Sequence, residues 1–233
     1  MPTSRPDAPV AIVTGASRGL GLALARELAA RGWRLVIDAR GGEALERARA
    51  ELAAGTTVDA LVGDVTDRRH REALVTAAGD RVDLLVNNAS RLGPSPQPPL
   101  HAYPLDELEA VYATNLHAPL ALTQRALPHM DEGATILNVT SDAAVEAYEG
   151  WGGYGSSKAA LEQLSRILAV EHPQLRVHAV DPGDMRTQMH QDAFPGEDIS
   201  DRPLPATSVP GILAIVEQRP PSGRYRAREQ VST

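Results

Sequence analysis

Val10-Ala11-Ile12-Val13-Thr14-Gly15-Ala16-Ser17-Arg18-Gly19-Leu20-Gly21 is the stretch on which the fold turns. Val10–Thr14 is a short, apolar, β-branched run, the pattern of a buried strand. Three glycines follow, and then Leu22–Arg31 places Leu22, Ala25, Leu28 and Ala29 along one helical stripe. A strand, a glycine-rich turn and a helix in that order make a cradle for phosphate. Glycines let the backbone approach an anion, and the N–H groups and dipole at the helix start attract it. The spacing is G-x-x-x-G-x-G rather than the commoner G-x-G-x-x-G.

Outward from this start, strands and helices alternate. Arg34–Ala39, Val58–Val65, Asp83–Ala89, Ala134–Ser141, Arg176–Val180 and Gly223–Ala227 read as strands, and Glu43–Ala53, Leu105–Met130, Tyr154–His172 and Ala206–Glu217 as helices. That alternation is the signature of an α/β fold with a parallel sheet. With 233 residues, 42% of them hydrophobic, the chain suits one domain over 1–233 rather than two. A formal charge of -7 argues against nucleic acid as a partner. No apolar run reaches the roughly 20 residues of a membrane span, and residues 1–8 lack a signal-peptide core; a cytoplasmic protein is expected. There are no cysteines, and the seven histidines show no metal-ligand spacing, so no metal is expected.

The chemistry points to Gly150-Trp151-Gly152-Gly153-Tyr154-Gly155-Ser156-Ser157-Lys158. On a helix, Tyr154 and Lys158 share one face. A free tyrosine, with a pKa of roughly 10, is a poor acid–base group near neutrality; a nearby ammonium favours its phenolate. Of the 23 Lys and Arg residues, Lys158 is the only lysine, so one compact ammonium stands among guanidiniums. The surrounding glycines read as a pliable link. Ser141, at a strand end, can meet Tyr154 over a shared substrate oxygen. A serine nucleophile is disfavoured, because there is no G-x-S-x-G elbow.

Other strand ends carry polar groups. Asp38-Ala39-Arg40 lies where an adenosine ribose would sit: an acid there accepts from both ribose hydroxyls and favours NAD, whereas an arginine pairs with a 2′-phosphate and favours NADP. Asp64 is placed to accept from an adenine amino group, with Val65 against the ring; Asp67 or Thr66 suits the following helix cap better. Asn87 and Asn88 are adjacent amides suited to holding backbone or ligand groups. Pro119, inside the long helix, can give no N–H to the Asn115 carbonyl, so a kink is expected there. The Pro-rich run 91–104 is a stiff wall or connector, and 188–205 a candidate lid. Arg219, Arg224, Arg226 and Arg228 read as a solvated edge.

Thr14-Gly-Ala-Ser-Arg-Gly-Leu-Gly21, Asp64, Asn87-Asn88-Ala89, Asn115, Ser141, Tyr154-x-x-x-Lys158 and Pro182-Gly183…Thr187, taken in order, resemble the single-domain short-chain dehydrogenase/reductase family over about Val10–Ala227. The resemblance implies a doubly wound parallel sheet of seven strands (Rossmann fold) with NAD(P) across the strand ends. It implies a cofactor site of Gly15, Ser17, Arg18, Gly19, Leu20, Gly21, Asp38, Arg40, Asp64, Val65, Asn88, Ala89, Tyr154, Lys158, Pro182, Gly183 and Thr187. In that resemblance Tyr154 is the acid–base residue, Ser141 orients the reacting oxygen, and Lys158 binds the nicotinamide ribose and lowers the Tyr154 pKa. Asn115 holds a relay water, Asn88 steadies the sheet, and Thr187 binds the carboxamide. At the register where the family places its NAD-selecting acid stands Ala39, with Asp38 one earlier and Arg40 one later; Arg40 and Arg18 favour NADP, with NAD the alternative. One departure is Ser90, where the family usually has glycine; its side chain is expected to narrow the groove or move the Pro-rich loop.

The activity implied is hydride transfer between NADP(H) and a small ketone or aldehyde, or the matching secondary alcohol. Leu92, Pro94, Tyr148, Trp151, Met189 and Phe194 suggest an apolar pocket, with a substrate loop at about 184–205. Asp142, Glu146 and Glu149 near its mouth disfavour an acidic acyl carrier, which leaves a 3-oxoacyl thioester reductase second. A sugar-nucleotide epimerase would need a longer chain, and a noncatalytic NADP-binding sensor would not need Ser141, Tyr154 and Lys158 together. By analogy a homodimer or homotetramer is expected.

Overall fold

Alternate residues of the first strand belong to different cores, and this places every other element. The computed structural model describes residues 8–230. Strand β1 (Val10–Val13) sends Ala11 and Val13 to one face and Val10 and Ile12 to the other. A strand apolar on both faces must be covered on both. Helices α1 (Gly19–Ala30), α2 (Gly42–Leu52) and α8 (Val209–Gln218) cover one side. Helices α3 (Arg68–Ala78), α5 (Ala118–Ala126) and α6 (Gly152–Glu171) cover the other, with α4 (Leu105–Tyr112) packed on α6. A short helix, α7 (Gln188–Ala193), lies in the region read as a lid.

The remaining strands are β2 (Arg34–Ala39), β3 (Val58–Val62), β4 (Leu84–Asn87), β5 (Thr135–Val139), β6 (Arg176–Asp181) and β7 (Gly223–Arg226). All pair in parallel in the order β3-β2-β1-β4-β5-β6-β7, the doubly wound seven-stranded sheet expected. The order reverses between β1 and β4, and a crevice opens there beyond the carboxyl ends of the strands.

Three local readings change. The single long helix over 105–130 is broken by a π turn at Ala113–His117, with the Ala118 N–H donating to the Ala113 carbonyl. Pro119 follows immediately and has no N–H to continue the regular ladder. The glycines around Tyr154 are not a pliable link. Helix α6 begins at Gly152, and a Cβ on Gly153 would strike the Tyr103 ring, while one on Gly155 would lie 2.6 Å from the Ala143 carbonyl oxygen. They are small so that two loops can press against the helix start. Arg224 does not belong to a solvated edge: it reaches inward to Glu162 at 2.9 Å and Asp181 at 3.2 Å.

Among the described residues, no helix is long and apolar enough to cross a membrane. No group of three or more His, Asp or Glu side chains there is placed to hold a metal ion.

Candidate active site

A groove of about 870 Å³ runs along the strand ends. Gly15, Ser17, Arg18, Gly19, Leu20, Asp38, Arg40, Asp64, Val65, Asn88, Ala89, Ser141, Tyr154, Lys158, Pro182, Gly183 and Thr187 all line it. Gly21 and Asn115 lie behind its wall. A Cβ on Gly21 would come within 2.6 Å of both Asn88 Nδ2 and the Gly15 carbonyl oxygen, so only glycine fits. Of the apolar candidates, Leu92, Trp151 and Met189 line the groove, whereas Pro94, Tyr148 and Phe194 do not. Phe194 packs behind Trp151, with ring centroids 5.8 Å apart.

At one end the loop after β1 is held by partly buried hydrogen bonds. Asn88 Nδ2 donates to the Thr14 carbonyl at 2.8 Å and the Gly15 carbonyl at 3.2 Å, and the Asn88 and Ala89 N–H groups each donate to Thr14 Oγ1 at 3.0 Å. Gly15 and Gly19 take positive φ values of 67° and 59°, which L side chains resist. Helix α1 then starts without a side-chain cap, leaving its first N–H groups toward the groove.

Asp38 takes a different part from the ribose acceptor expected. It is 1% exposed; Oδ1 accepts from the Gly15 N–H at 2.7 Å, and Oδ2 sits 2.9 Å from His70 Nε2. Its carboxylate is thus turned inward, as an anchor for the glycine loop. Arg18 and Arg40 stay exposed at the mouth, outside any ion pair among the described residues. Asp64 Oδ1 accepts from the Thr66 N–H and hydroxyl, each at 2.8 Å, while Asp67 caps α3 as expected, accepting from the Arg69 N–H at 2.7 Å. His70 escaped the sequence reading. Its spacing with Leu74 and Ala78, four and eight residues on, marks it as lying on the buried face of α3.

At the other end Tyr154 and Lys158 meet as their spacing requires. Lys158 Nζ lies 5.5 Å from the Tyr154 ring centroid and donates to the Val139 carbonyl at 2.8 Å. Burial pushes the Lys158 pKa down to about 8. The expected acidic phenol is not what this site shows by itself: burial drives the Tyr154 pKa well above its ordinary value, and Asp181 and Asp142 add to the rise. Tyr154 packs with Leu92 and Ala143, and its ring meets Trp151 edge-on at 5.8 Å.

Ser141 is turned aside. Its hydroxyl donates to Asp142 Oδ1 at 2.8 Å and accepts from the Ala143 N–H at 3.2 Å. The Asn115 amide is buried and saturated: Oδ1 accepts from the Ser90 hydroxyl at 3.1 Å and the Arg91 N–H at 2.8 Å, and Nδ2 donates to the Arg91 carbonyl at 2.9 Å and Ser157 Oγ at 3.0 Å. Thr187 caps α7, accepting from the His190 N–H at 3.2 Å. Gly183 donates its N–H to Asp181 Oδ1 at 2.9 Å. Only Arg91 and Leu92, at the start of the Pro-rich run, line the groove; the rest of that run does not. It packs on α6, and Ser95 Oγ donates to the Asp192 carbonyl at 2.6 Å, tying it to the end of α7.

Comparison with known proteins gives one consistent result. Residues 9–198 match the family described as short chain dehydrogenase. The chain is 35% identical to 2-(R)-hydroxypropyl-CoM dehydrogenase of Xanthobacter autotrophicus over 84% of its own length and 82% of that protein. It is 34% identical to sepiapterin reductase of Rattus norvegicus, over 78% of this chain and 76% of that one. Its fold superposes on a short chain dehydrogenase of Shigella flexneri, solved in complex with NADP, with a TM-score of 0.88 and 26% identity, over 94% of this chain and 97% of that one.

Proposed function

The chain belongs to the short-chain dehydrogenase family, and from that premise we propose that it is a carbonyl reductase. It moves a hydride between NADP(H) and a small, mostly apolar ketone or aldehyde, or runs the same reaction from the secondary alcohol. The observation that carries this reading is the placing of Tyr154 and Lys158 in the same groove as the uncapped start of α1. When bound, the cofactor supplies or accepts the hydride. The chain's own residues do the rest.

The residues present fit such a cofactor. The α1 N–H groups and the glycine loop suit a pyrophosphate. Arg18 and Arg40 are free to clamp a 2′-phosphate, while the Asp38 carboxylate is already engaged by Gly15 and His70. Asp64 and Val65 take the adenine, and Pro182, Gly183 and Thr187 the nicotinamide end. Lys158 holds the nicotinamide ribose. Tyr154 gives the carbonyl oxygen a proton in reduction and takes one from the alcohol in oxidation. Ser141 orients that oxygen after leaving Asp142.

The segment 184–205 serves as the substrate loop, with Met189 and Trp151 packed against the cluster of Leu92, Ala143 and Tyr154 to make an apolar wall. Asp142 lines the groove and Arg91 is paired with Glu107 at 2.7 Å, so a free carbonyl compound is favoured over a thioester on an acidic carrier. A homodimer or homotetramer belongs to the same reading; Ile167 and Val170 stand 48% and 81% exposed on α6, an apolar face for a second copy. The test is oxidation of NADPH and of NADH, followed by absorbance over a panel of ketones and aldehydes. Turnover with NADPH and an apolar ketone is expected. Absence of turnover with every carbonyl, alongside tight NADPH binding, would leave a noncatalytic sensor.

A further inference from the structure

Three consecutive residues at the end of β5 are each tied to a different polar side chain. The Val139 carbonyl accepts from Lys158 Nζ at 2.8 Å, the Thr140 hydroxyl donates to Glu162 Oε1 at 2.8 Å, and the Ser141 carbonyl accepts from Arg224 Nη2 at 3.3 Å. Lys158 and Glu162 follow Tyr154 at four-residue steps, so the three share one stripe of α6. Arg224 comes from β7, the edge strand of the sheet, 83 residues beyond Ser141 in sequence.

The Arg224 guanidinium joins three elements. Nε donates to Glu162 Oε1 on α6 at 2.9 Å, and Nη2 donates to the Ser141 carbonyl and to Asp181 Oδ2, at 3.2 Å, at the end of β6. The other Asp181 oxygen accepts from the Gly183 N–H. The Glu162 and Asp181 side chains are 2% and 6% exposed, so two carboxylates out of water meet on one cation; Arg166 reaches Glu162 only at 3.5 Å.

We propose that Arg224 is a positioning residue for the acid–base end of the groove: its guanidinium sets the ends of β5 and β6 against the α6 stripe, and so places Ser141 and Gly183 relative to Tyr154 and Lys158. The inference rests on the reading of Tyr154 and Ser141 as the acid–base and orienting groups. Arg224 acts through them and does not itself line the groove.

The sheet needs such a link at this point. The Thr140 N–H donates to the Val180 carbonyl, and the next bond of a parallel ladder would run from residue 182 to the Thr140 carbonyl. Pro182 has no N–H to make it. Beyond Thr140 the ladder stops, and Arg224 joins Ser141 to Asp181 instead. A guanidinium suits the task because it is flat, always charged, and holds its donors at fixed separation. Here one nitrogen serves α6 and another serves both strand ends. A lysine would keep the charge but offer a single nitrogen on a flexible stem.

Arg224→Ala would strand two buried carboxylates and is expected to unfold the chain. The test therefore uses Arg224→Lys, and Arg224→Gln combined with Asp181→Asn, which removes that pair together and leaves Glu162 to Thr140 and Arg166. Hydrogen exchange read by mass spectrometry needs no substrate, so it decides the inference even if no carbonyl compound turns over. Exchange should quicken in peptides carrying Ala143 and Gly183, whose N–H groups are held by side chains at these two strand ends, and stay unchanged in β1 and α1. The rate of hydride transfer in a single turnover should fall by up to roughly 10²-fold, with the NADPH dissociation constant changed far less. Arg166→Gln, which touches Glu162 but neither strand end, should match the unaltered protein in both measurements. Unchanged exchange at Ala143 and Gly183 in both test variants would overturn the proposal, whatever the turnover. So would exchange that quickens alike across the whole sheet, which would trace the effect to stability, or an equal loss in Arg166→Gln, which would trace it to the Glu162 charge.

Discussion

The two ends of the groove are built from different materials. The end beside β1 is made largely of backbone: positive-φ glycines, uncapped N–H groups, and side chains such as Asn88, Thr14 and Asp38 that face inward to hold the loop. The end beside β5 is made of side chains brought from separate places: Ser90 after β4, Ser141 after β5, Tyr154 and Lys158 from α6, and Met189 from α7. Peptide groups are common to every residue, so the glycine loop of the first end is damaged by changing its shape. Functional groups are particular, so the second can be disabled by removing one oxygen. Substitutions at the two ends should therefore fail in different ways.

The largest effect tests the second end. Tyr154→Phe removes one hydroxyl from a packed ring and should cut kcat by about 10²–10⁴-fold, with the NADPH dissociation constant and Tm nearly unchanged. Stopped-flow turnover beside a fluorescence titration separates the two; full turnover would remove Tyr154 from the mechanism. Asp38→Ala tests the first end. It leaves the Gly15 N–H and buried His70 without partners, at a cost of about 3 kcal/mol, or roughly a 10 °C fall in Tm. Cofactor affinity should fall with it, and kcat at saturation should change little. Had Asp38 been a ribose ligand alone, the same substitution would weaken NAD binding and spare Tm.

This division also explains what the sequence made legible. The β1–glycine loop–α1 unit, the seven strands and the Asp67 cap announce themselves by residue types at short spacing, whichever distant segment each then pairs with. Tyr154 and Lys158 are one helical turn apart, so spacing alone joins them. The break at Pro119 is local too, because a missing N–H acts four residues back. What escaped depends on distant partners. Asp38 turns inward because His70 arrives from another helix, and Arg224 is drawn in by Glu162 and Asp181. The glycines at 152–155 look flexible until Tyr103 and Ala143 are seen pressed against them. Ser90 reads as an obstruction until its hydroxyl is found donating to the buried Asn115 amide.

Arg40→Ala should have a smaller and more selective effect. Arg40 lies exposed at the β2 end of the groove, outside the ion pairs of the described residues, so its removal should leave Tm unchanged. The preference for NADP over NAD should fall about tenfold, the order expected for one charge-assisted phosphate contact. A preference that survived both this change and Arg18→Ala would mean that the phosphate is read by backbone, as the rest of that end is.

The smallest effect concerns the ground beneath the second end. His178 lies on β6, the strand that leads to Asp181 and the substrate loop, fully buried and with both ring nitrogens unpartnered among the described residues. Its ring meets Tyr225 edge-on at 5.4 Å. Burial, reinforced by Arg176, lowers its pKa from the ordinary 6.5 to about 4. The unfolded chain therefore binds a proton through this window that the folded chain refuses. Stability from this residue is complete above pH 6.5 and drains as the pH falls toward 4. His178→Phe keeps the ring and removes the titration. It should narrow the difference in Tm between pH 7.5 and pH 5 by a few degrees, while carboxylate protonation lowers both proteins alike. Hydrogen exchange should place the protection regained at pH 5 in β6 and β7 rather than around β1; regain spread evenly over the sheet would mean that the two ends share one foundation after all.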